Sequence, residues 1–254
     1  MRKIFYEIGT TKKQKEDTTK REMVLFCLSD LHGTCYEPGN RPIIECAWNQ
    51  KLDLILASGD MLSGDREEGD AIAVALLSRL SDLAPVCFVN GNHEMCVERH
   101  QPERYQKFMD DLKNGGVQVL HNETAWFWID GEKVAVTGYE LPWEYYRRFS
   151  RRHPSVVGME RSIQILLTHN PVFFEEYTAW GADFTFAGHL HGGFIRLPYF
   201  GGVISPQFQL FPKYDHGLYQ MDTSSMVVGA GMGNHSGLFR INNPTEIVTV
   251  RIKR

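Results

Sequence analysis

The chain has 254 residues, 43% hydrophobic and 23% charged, with a net charge of −4. That size and balance suit one α/β domain spanning 1–254 with a substantial core, and exclude a disordered or fibrous chain. The mildly acidic balance excludes wholesale electrostatic binding of nucleic acid. The five cysteines (Cys27, Cys35, Cys46, Cys87 and Cys96) form no C-x-x-C pair and read as reduced thiols of a cytoplasmic protein. No run reaches the roughly 18 apolar residues of a spanning helix, and no apolar signal segment follows the N-terminal charges.

Residues 1–22 carry seven basic and four acidic side chains around the alternating run Lys3-Ile4-Phe5-Tyr6-Glu7-Ile8. We expect an edge strand and then a solvated charged turn, with a weak peripheral contact to anionic lipid as the functional reading of those charges. Next, the apolar run Val24-Leu25-Phe26-Cys27-Leu28 passes into Ser29-Asp30-Leu31-His32-Gly33. An apolar run ended by turn residues reads as a buried strand, and strand ends carry the ligands of open α/β sheets. Asp30 and His32 stand two apart, so an extended segment would point both the same way. A carboxylate and an imidazole presented together are good ligands for a divalent metal.

Helices are predicted at roughly 38–50, 69–82 and 102–114, alternating with strands over 52–57 and 86–89. That rhythm implies a parallel sheet with helices over it. Gly115-Gly116 stands at the C-cap of the third helix. Strands over 117–120, 125–129 and 133–139, with Asp130-Gly131 as a hairpin turn, announce a second sheet. A strand over 163–167, a helix over 171–180 and a strand over 183–187 restore α/β character. Strands near 216–221, 225–230 and 246–252 look antiparallel.

Five of these strands end in chemistry. Besides Asp30 and His32, the ends carry Ser58-Gly59-Asp60, Asn90-Gly91-Asn92-His93-Glu94, Thr168-His169-Asn170 and Gly188-His189-Leu190-His191. A capping Asp or a satisfied core histidine explains any one of them. Half of the ten histidines fall in these stretches, and their convergence on one edge of the inferred sheet points to a metal site.

The ordered set Asp30-x-His32, Gly59-Asp60, Gly91-Asn92-His93-Glu94, His169 and Gly188-His189-x-His191 resembles the calcineurin-like metallophosphoesterase superfamily over residues 23–193. The following Gly192-Gly193-x-Ile195-Arg196-Leu197-Pro198 and Leu210-Phe211-Pro212-Lys213-Tyr214 look like a bacterial phosphoesterase or phosphohydrolase branch. The resemblance implies a four-layer α-β-β-α sandwich of two mixed sheets. It also implies two divalent metal ions (Mn, Fe or Zn): Asp30, His32 and His191 on the first, Asn92, His169 and His189 on the second, and Asp60 bridging. The implied reaction is in-line attack by a hydroxide between the metals on a phosphodiester or pyrophosphate bond of a small anionic phosphoester. His93 would steady the phosphoryl oxygens or protonate the leaving group. Phosphomonoester hydrolysis and a non-catalytic metal-binding scaffold are the rival readings. A nuclease would call for a basic face that the charge balance does not supply.

Many superfamily members read Gly-Asp-x-x-Asp, where the second Asp orients the catalytic histidine. Here Ser63 stands at that place. The expectation is that His93 is a weaker acid or borrows Asp65 or Glu94. Arg147, Arg148, Arg151 and Arg152 read as a solvated helix face, with a basic substrate rim as the functional alternative. In Trp126-Phe127-Trp128 at least one ring should be core. Residues 199–214 are a candidate wall or lid of the cleft. Asn234, His235 and Arg240 lie in a glycine-rich loop, and His100, His121, His153 and His216 read as surface or structural.

Overall fold

The structure, a computed structural model, describes residues 1–9, 21–64, 66–147, 162–193, 195–197, 199–205, 209–234 and 240–253. In chain order the first half holds β1 (Arg2–Gly9), β2 (Met23–Leu28), α1 (Arg41–Trp48), β3 (Leu54–Ala57), α2 (Glu68–Ser81), β4 (Val86–Phe88), α3 (Asn92–His100), α4 (Pro102–Asn114) and β5 (Val117–Val119). Then come β6 (Thr124–Ile129), β7 (Glu132–Tyr139), α5 (Glu144–Arg147), β8 (Ile163–Thr168), α6 (Phe174–Ala179) and β9 (Phe184–Ala187). The remaining strands are β10 (Arg196–Leu197), β11 (Gly201–Gly202), β12 (Gly217–Met221), β13 (Ser224–Val228) and β14 (Glu246–Lys253).

Two six-stranded sheets form, in the orders β1-β14-β2-β3-β4-β5 and β12-β13-β9-β8-β7-β6. Strand side chains alternate between faces, and both faces of the central strands are buried. On β2, Leu25 and Cys27 enter the core between the sheets, against Val134, Ile165 and Phe186 of the second sheet. Phe26 and Leu28 point the other way, onto Ile43 of α1, Leu76 of α2 and Phe108 of α4. The outer face of the second sheet is covered by Tyr146, Phe173 and Tyr177. Four layers result, α-β-β-α. Among the described residues, no helix is long and apolar enough to cross a membrane.

Several expectations need revision. The ligand-bearing strands belong to two sheets, not one: β2, β3 and β4 to the first, β8 and β9 to the second. The strand at Val117 pairs in parallel with β4 and so closes the first sheet, while the Asp130-Gly131 hairpin opens the second. The C-terminal strands are only partly antiparallel. β12 opposes β13 and β14 opposes β2, yet β13 runs parallel to β9 and β14 parallel to β1. A period of two looks the same in either pairing, so the pattern could not choose. Of the Trp126-Phe127-Trp128 rings, Phe127 packs on the inter-sheet core, while both tryptophans are exposed. The N-terminal edge strand forms as expected; its charged turn, over 10–20, lies outside the described residues.

Helix α2 meets the loop after β2 at two glycines. A Cβ on Gly69 would stand 2.7 Å from the Gly33 Cα, one residue beyond His32. Alanine ordinarily stabilises a helix over glycine by about 1 kcal/mol, but a backbone atom at that distance cannot yield cheaply. Gly69→Ala is therefore expected to lower stability in urea unfolding by more than about 1 kcal/mol. A stabilised variant would contradict this close approach.

Candidate metal centre

The turns at the strand ends are tighter than the sequence suggests. Asp30, His32, Asp60, His189 and His191 all adopt positive φ, between 49° and 72°. That conformation costs a non-glycine residue about 1–2 kcal/mol, so the surroundings must hold it. Asp30 and His32 thus lie in a coil, not the extended segment expected. Backbone bonds lock it: Asp30 N–H donates to the Gly59 carbonyl (3.0 Å) and His32 N–H to that of Asp60 (3.0 Å).

Three groups of side chains converge. Ligand atoms of Asp30, His32 and His191 lie within 4.8 Å of one another, as do those of Asp60, His169 and His189, and those of His32, Asp60 and His93. His191 Nε2 is 3.4 Å from Asp30 Oδ1, and His169 Nε2 is 3.2 Å from Asp60 Oδ2. His32 Nε2 and His191 Nε2 face each other at 3.2 Å. The two aspartates and the histidines at 32, 169, 189 and 191 are each no more than 4% exposed. Asn92 begins α3, and its buried Oδ1 has no hydrogen-bond partner. A partnerless buried oxygen, facing imidazole nitrogens and paired buried carboxylates are costly alone, and bound cations would relieve that cost. The nitrogen and oxygen donor set, without thiolate, suits Mn, Fe or Zn.

The electrostatics agree. Burial raises the Asp30 carboxyl, and the charge of Asp60 adds to that, against the pull of His169. Burial pushes Asp60 the same way but is outweighed by His169, His93 and His32, leaving it well below the usual carboxylate range. Burial alone would lower His169; Asp60 and Asp30 reverse the sign and raise it to about 9. The His169 Nδ1–H donates to the Ser58 carbonyl at 2.6 Å, which turns Nε2 toward Asp60.

Glu94 does not support His93, contrary to one expectation. Its carboxylate is fully buried and accepts four backbone N–H bonds, from Asp60 (2.8 Å), Met61 (2.8 Å), Leu62 (3.1 Å) and Gly91 (2.8 Å). Burial and the nearby Asp60 push it up to about 7; four N–H donors favour the ionised form. It shapes the Asp60 loop against the start of α3. Gly91 must be glycine there, because a Cβ would fall 2.2 Å from Asp60 Oδ1.

His93 is oriented by a backbone group instead. The Gly64 N–H donates to His93 Nδ1 at 3.1 Å, so the proton of the neutral ring sits on Nε2. That nitrogen is 4.0 Å from Asp60 Oδ2. The Gly64 turn is fixed from behind by Arg104, which donates to the Ser63 carbonyl (2.8 Å) while pairing with Asp70 (2.7 Å). The serine contributes its carbonyl where a second Asp would have contributed charge.

Other neighbours carried no sequence signal. Tyr146, grouped with the arginine cluster by its sequence, is buried with its ring 5.1 Å from that of His189. Arg240 Nη2 reaches His191 Nδ1 at 2.9 Å, and the Asn243 amide donates to the His191 and Gly193 carbonyls. Only the glycine-rich loop hinted at these. His100, His121 and His216 bond the Cys96 carbonyl, Glu140 and Glu246 respectively, as structural histidines do. Hairpin β10–β11 stands next to the His191 turn with Tyr199 and Phe200 exposed. Asp65, Arg148, Arg151, Arg152, His153, 194, 198 and His235 lie outside the described residues, as do 206–208 of the cleft segment.

Buried nitrogen and oxygen donors gathered in this way could hold metal ions. The chain belongs to the calcineurin-like phosphoesterase family, whose profile matches residues 23–193. It is 26% identical over 231 residues to phosphodiesterase YaeI of Escherichia coli, covering 90% of this chain and 81% of that protein. It is also 26% identical over 150 residues to UDP-2,3-diacylglucosamine pyrophosphatase LpxG of Chlamydia trachomatis, covering 55% of this chain and 43% of that protein. NAD nucleotidase NadN of Haemophilus influenzae superposes with a TM-score of 0.51 at 16% identity, over 83% of this chain and 50% of that one, a likeness of fold.

A histidine raised to about 9 is protonated at neutral pH in the metal-free protein, and a cation must displace that proton to bind. Titrating Mn into metal-free protein at neutral pH should therefore release protons, with affinity rising as pH climbs toward 9. Calorimetry in buffers of unequal ionisation heat checks this. Binding with no proton release would contradict the His169–Asp60 pairing.

Proposed function

We propose that the chain is a dinuclear metal-dependent phosphoesterase that hydrolyses phosphodiester or pyrophosphate bonds of small anionic substrates. The observation that carries this reading is the sharing of Asp60. One of its oxygens faces the His169 and His189 group, while His32 of the first group stands 4.0 Å from the same carboxylate. On this reading Asp30, His32 and His191 hold one cation, Asn92, His169 and His189 the other, and Asp60 bridges. When bound, such a pair supplies Lewis acidity, activating water and neutralising charge that develops on the phosphoryl oxygens.

The chain's own groups do the rest. His93 Nε2–H donates to a phosphoryl or leaving-group oxygen, because Nδ1 is occupied by Gly64 N–H. The role is that of a positioned donor that strengthens as charge builds in the transition state. The first turn of α3 aids Asp60 directly: the His93 N–H donates to Asp60 Oδ1 at 2.8 Å, where the helix dipole also favours negative charge. Glu94 holds that loop so that neither group needs to reorganise during the reaction. The diester and pyrophosphate classes are supported by the names of two relatives, a phosphodiesterase and a pyrophosphatase. Convergence of Asp30, His32, Asp60, His169, His189 and His191 disfavours a non-catalytic scaffold.

The test is turnover of bis-p-nitrophenyl phosphate against p-nitrophenyl phosphate with added Mn. Diester turnover should exceed monoester turnover. His93→Ala should lower kcat by about 10²–10⁴ with metal content unchanged, whereas Asp60→Asn should lose both metal and turnover. Full activity in His93→Ala would overturn the donor role, and full activity in Asp60→Asn the bridged site.

A further inference from the structure

Behind His191, on the side away from the metal ligands, lies an open cleft of about 510 Å³ lined by Arg2, Asn234, Arg240, Asn242, Asn243 and Thr245. Among the described residues, no carboxylate lines it. Glu246, across the register from Arg2, is already engaged by the Ala230 N–H and His216. Its exposed donors, on Arg2 and Asn242, face solvent. Among the described residues, the Arg2 guanidinium and the Asn242 amide make no hydrogen bond or ion pair. The Nε–H of Arg240 is buried without an acceptor, although the other arms of that guanidinium bond the Ala230 and Gly233 carbonyls. A buried N–H without an acceptor is rare and costly. Asn243 turns its amide away, onto the His191 turn. Asn242 also lines a neighbouring trough of about 440 Å³ with Arg196 and Tyr199, so the donor-rich surface continues along the hairpin.

Two guanidiniums and carboxamides with unused donors, without an opposing acid, match a ligand that offers several acceptor oxygens and negative charge. We propose that this cleft binds a phosphate-type oxyanion at a site separate from the metal centre and joined to it through the Arg240–His191 contact. The same chemistry is presented by a soluble phosphate compound and by the headgroup of an anionic lipid. Arg2 is its outer anchor. Arg2 stands exposed on edge strand β1, far in function from the hydrolytic groups, so its substitution tests binding alone.

The experiment is calorimetric titration of Mn-loaded protein with inorganic phosphate, together with pelleting on phosphatidylglycerol–phosphatidylcholine vesicles, for wild type, Arg2→Gln and Asn242→Ala. Wild type should show a phosphate site beyond the one that competes with bis-p-nitrophenyl phosphate. Both variants should weaken that extra site about tenfold or more while leaving bis-p-nitrophenyl phosphate turnover intact. Loss of vesicle pelleting in the variants, with no extra soluble site in wild type, would support the cleft with lipid as the source. The proposal is overturned if phosphate binding and vesicle pelleting are the same in all three proteins. Because the readout is binding with turnover as a control, its failure leaves the hydrolase reading standing, and absence of turnover in wild type leaves the cleft testable.

Discussion

Keeping Asp60 charged inside the protein is the constraint on which the rest of the centre depends. Its carboxylate is 2% exposed, and removing such a charge from water costs several kcal/mol unless close partners compensate. The compensation comes from every side. His169 Nε2 stands at 3.2 Å, His32 and His93 at 4.0 Å, and the first turn of α3 donates a backbone N–H. A second buried carboxylate, Glu94, lies behind the same loop, and four backbone N–H groups satisfy it. Removing one partner would leave that charge less fully compensated. Bound cations would satisfy both aspartates.

The architecture delivers these groups by ending strands from two sheets at one place. The first sheet supplies Asp30, His32, Asp60 and Asn92, and the second supplies His169, His189 and His191. Rigid packing between the sheets therefore fixes the distance between the two halves of the site. Bound metal would in turn join the sheets, so metal affinity and tertiary stability are linked. Strained turns are tolerable in this setting. Five residues of the cluster held at positive φ would relax in an isolated loop, but here neighbouring turns bond to them and Asn243 clamps the His191 turn.

The sequence carried the parts of this account that are local and lost the parts that are not. Strand runs ending in Asp-x-His, Gly-Asp, Gly-Asn-His-Glu and Gly-His-x-His were legible because burial and turn chemistry are written in adjacent residues. The superfamily resemblance added the division into two metal groups; Asp30, His32 and His191 lie together, as do Asp60, His169 and His189, and a third group joins His32, Asp60 and His93. Sheet membership was not legible, because alternation identifies a buried strand without naming its neighbour. Helix α3 was missed because Asn92-His93-Glu94 reads as a loop until Glu94 is seen capping its own first turn. The role of Ser63 could not be read either. The residue type suggested a weakened His93, but the compensating groups are the Gly64 N–H and Arg104, forty residues downstream, whose proximity only the fold creates.

Ser63 and His93 also show how one active-site task can be met differently. A carboxylate on Nδ1 favours an imidazolium; a backbone N–H there favours a neutral ring with its proton on Nε2. The second arrangement still places a donor nitrogen 4.0 Å from Asp60. Whether the site is dinuclear is the claim on which all of this turns. The most direct measurement is an anomalous-difference map from crystals grown with Mn. The account predicts two peaks, one among Asp30, His32 and His191 and one among Asn92, His169 and His189, with Asp60 between them. A single peak, or peaks away from Asp60, would contradict it.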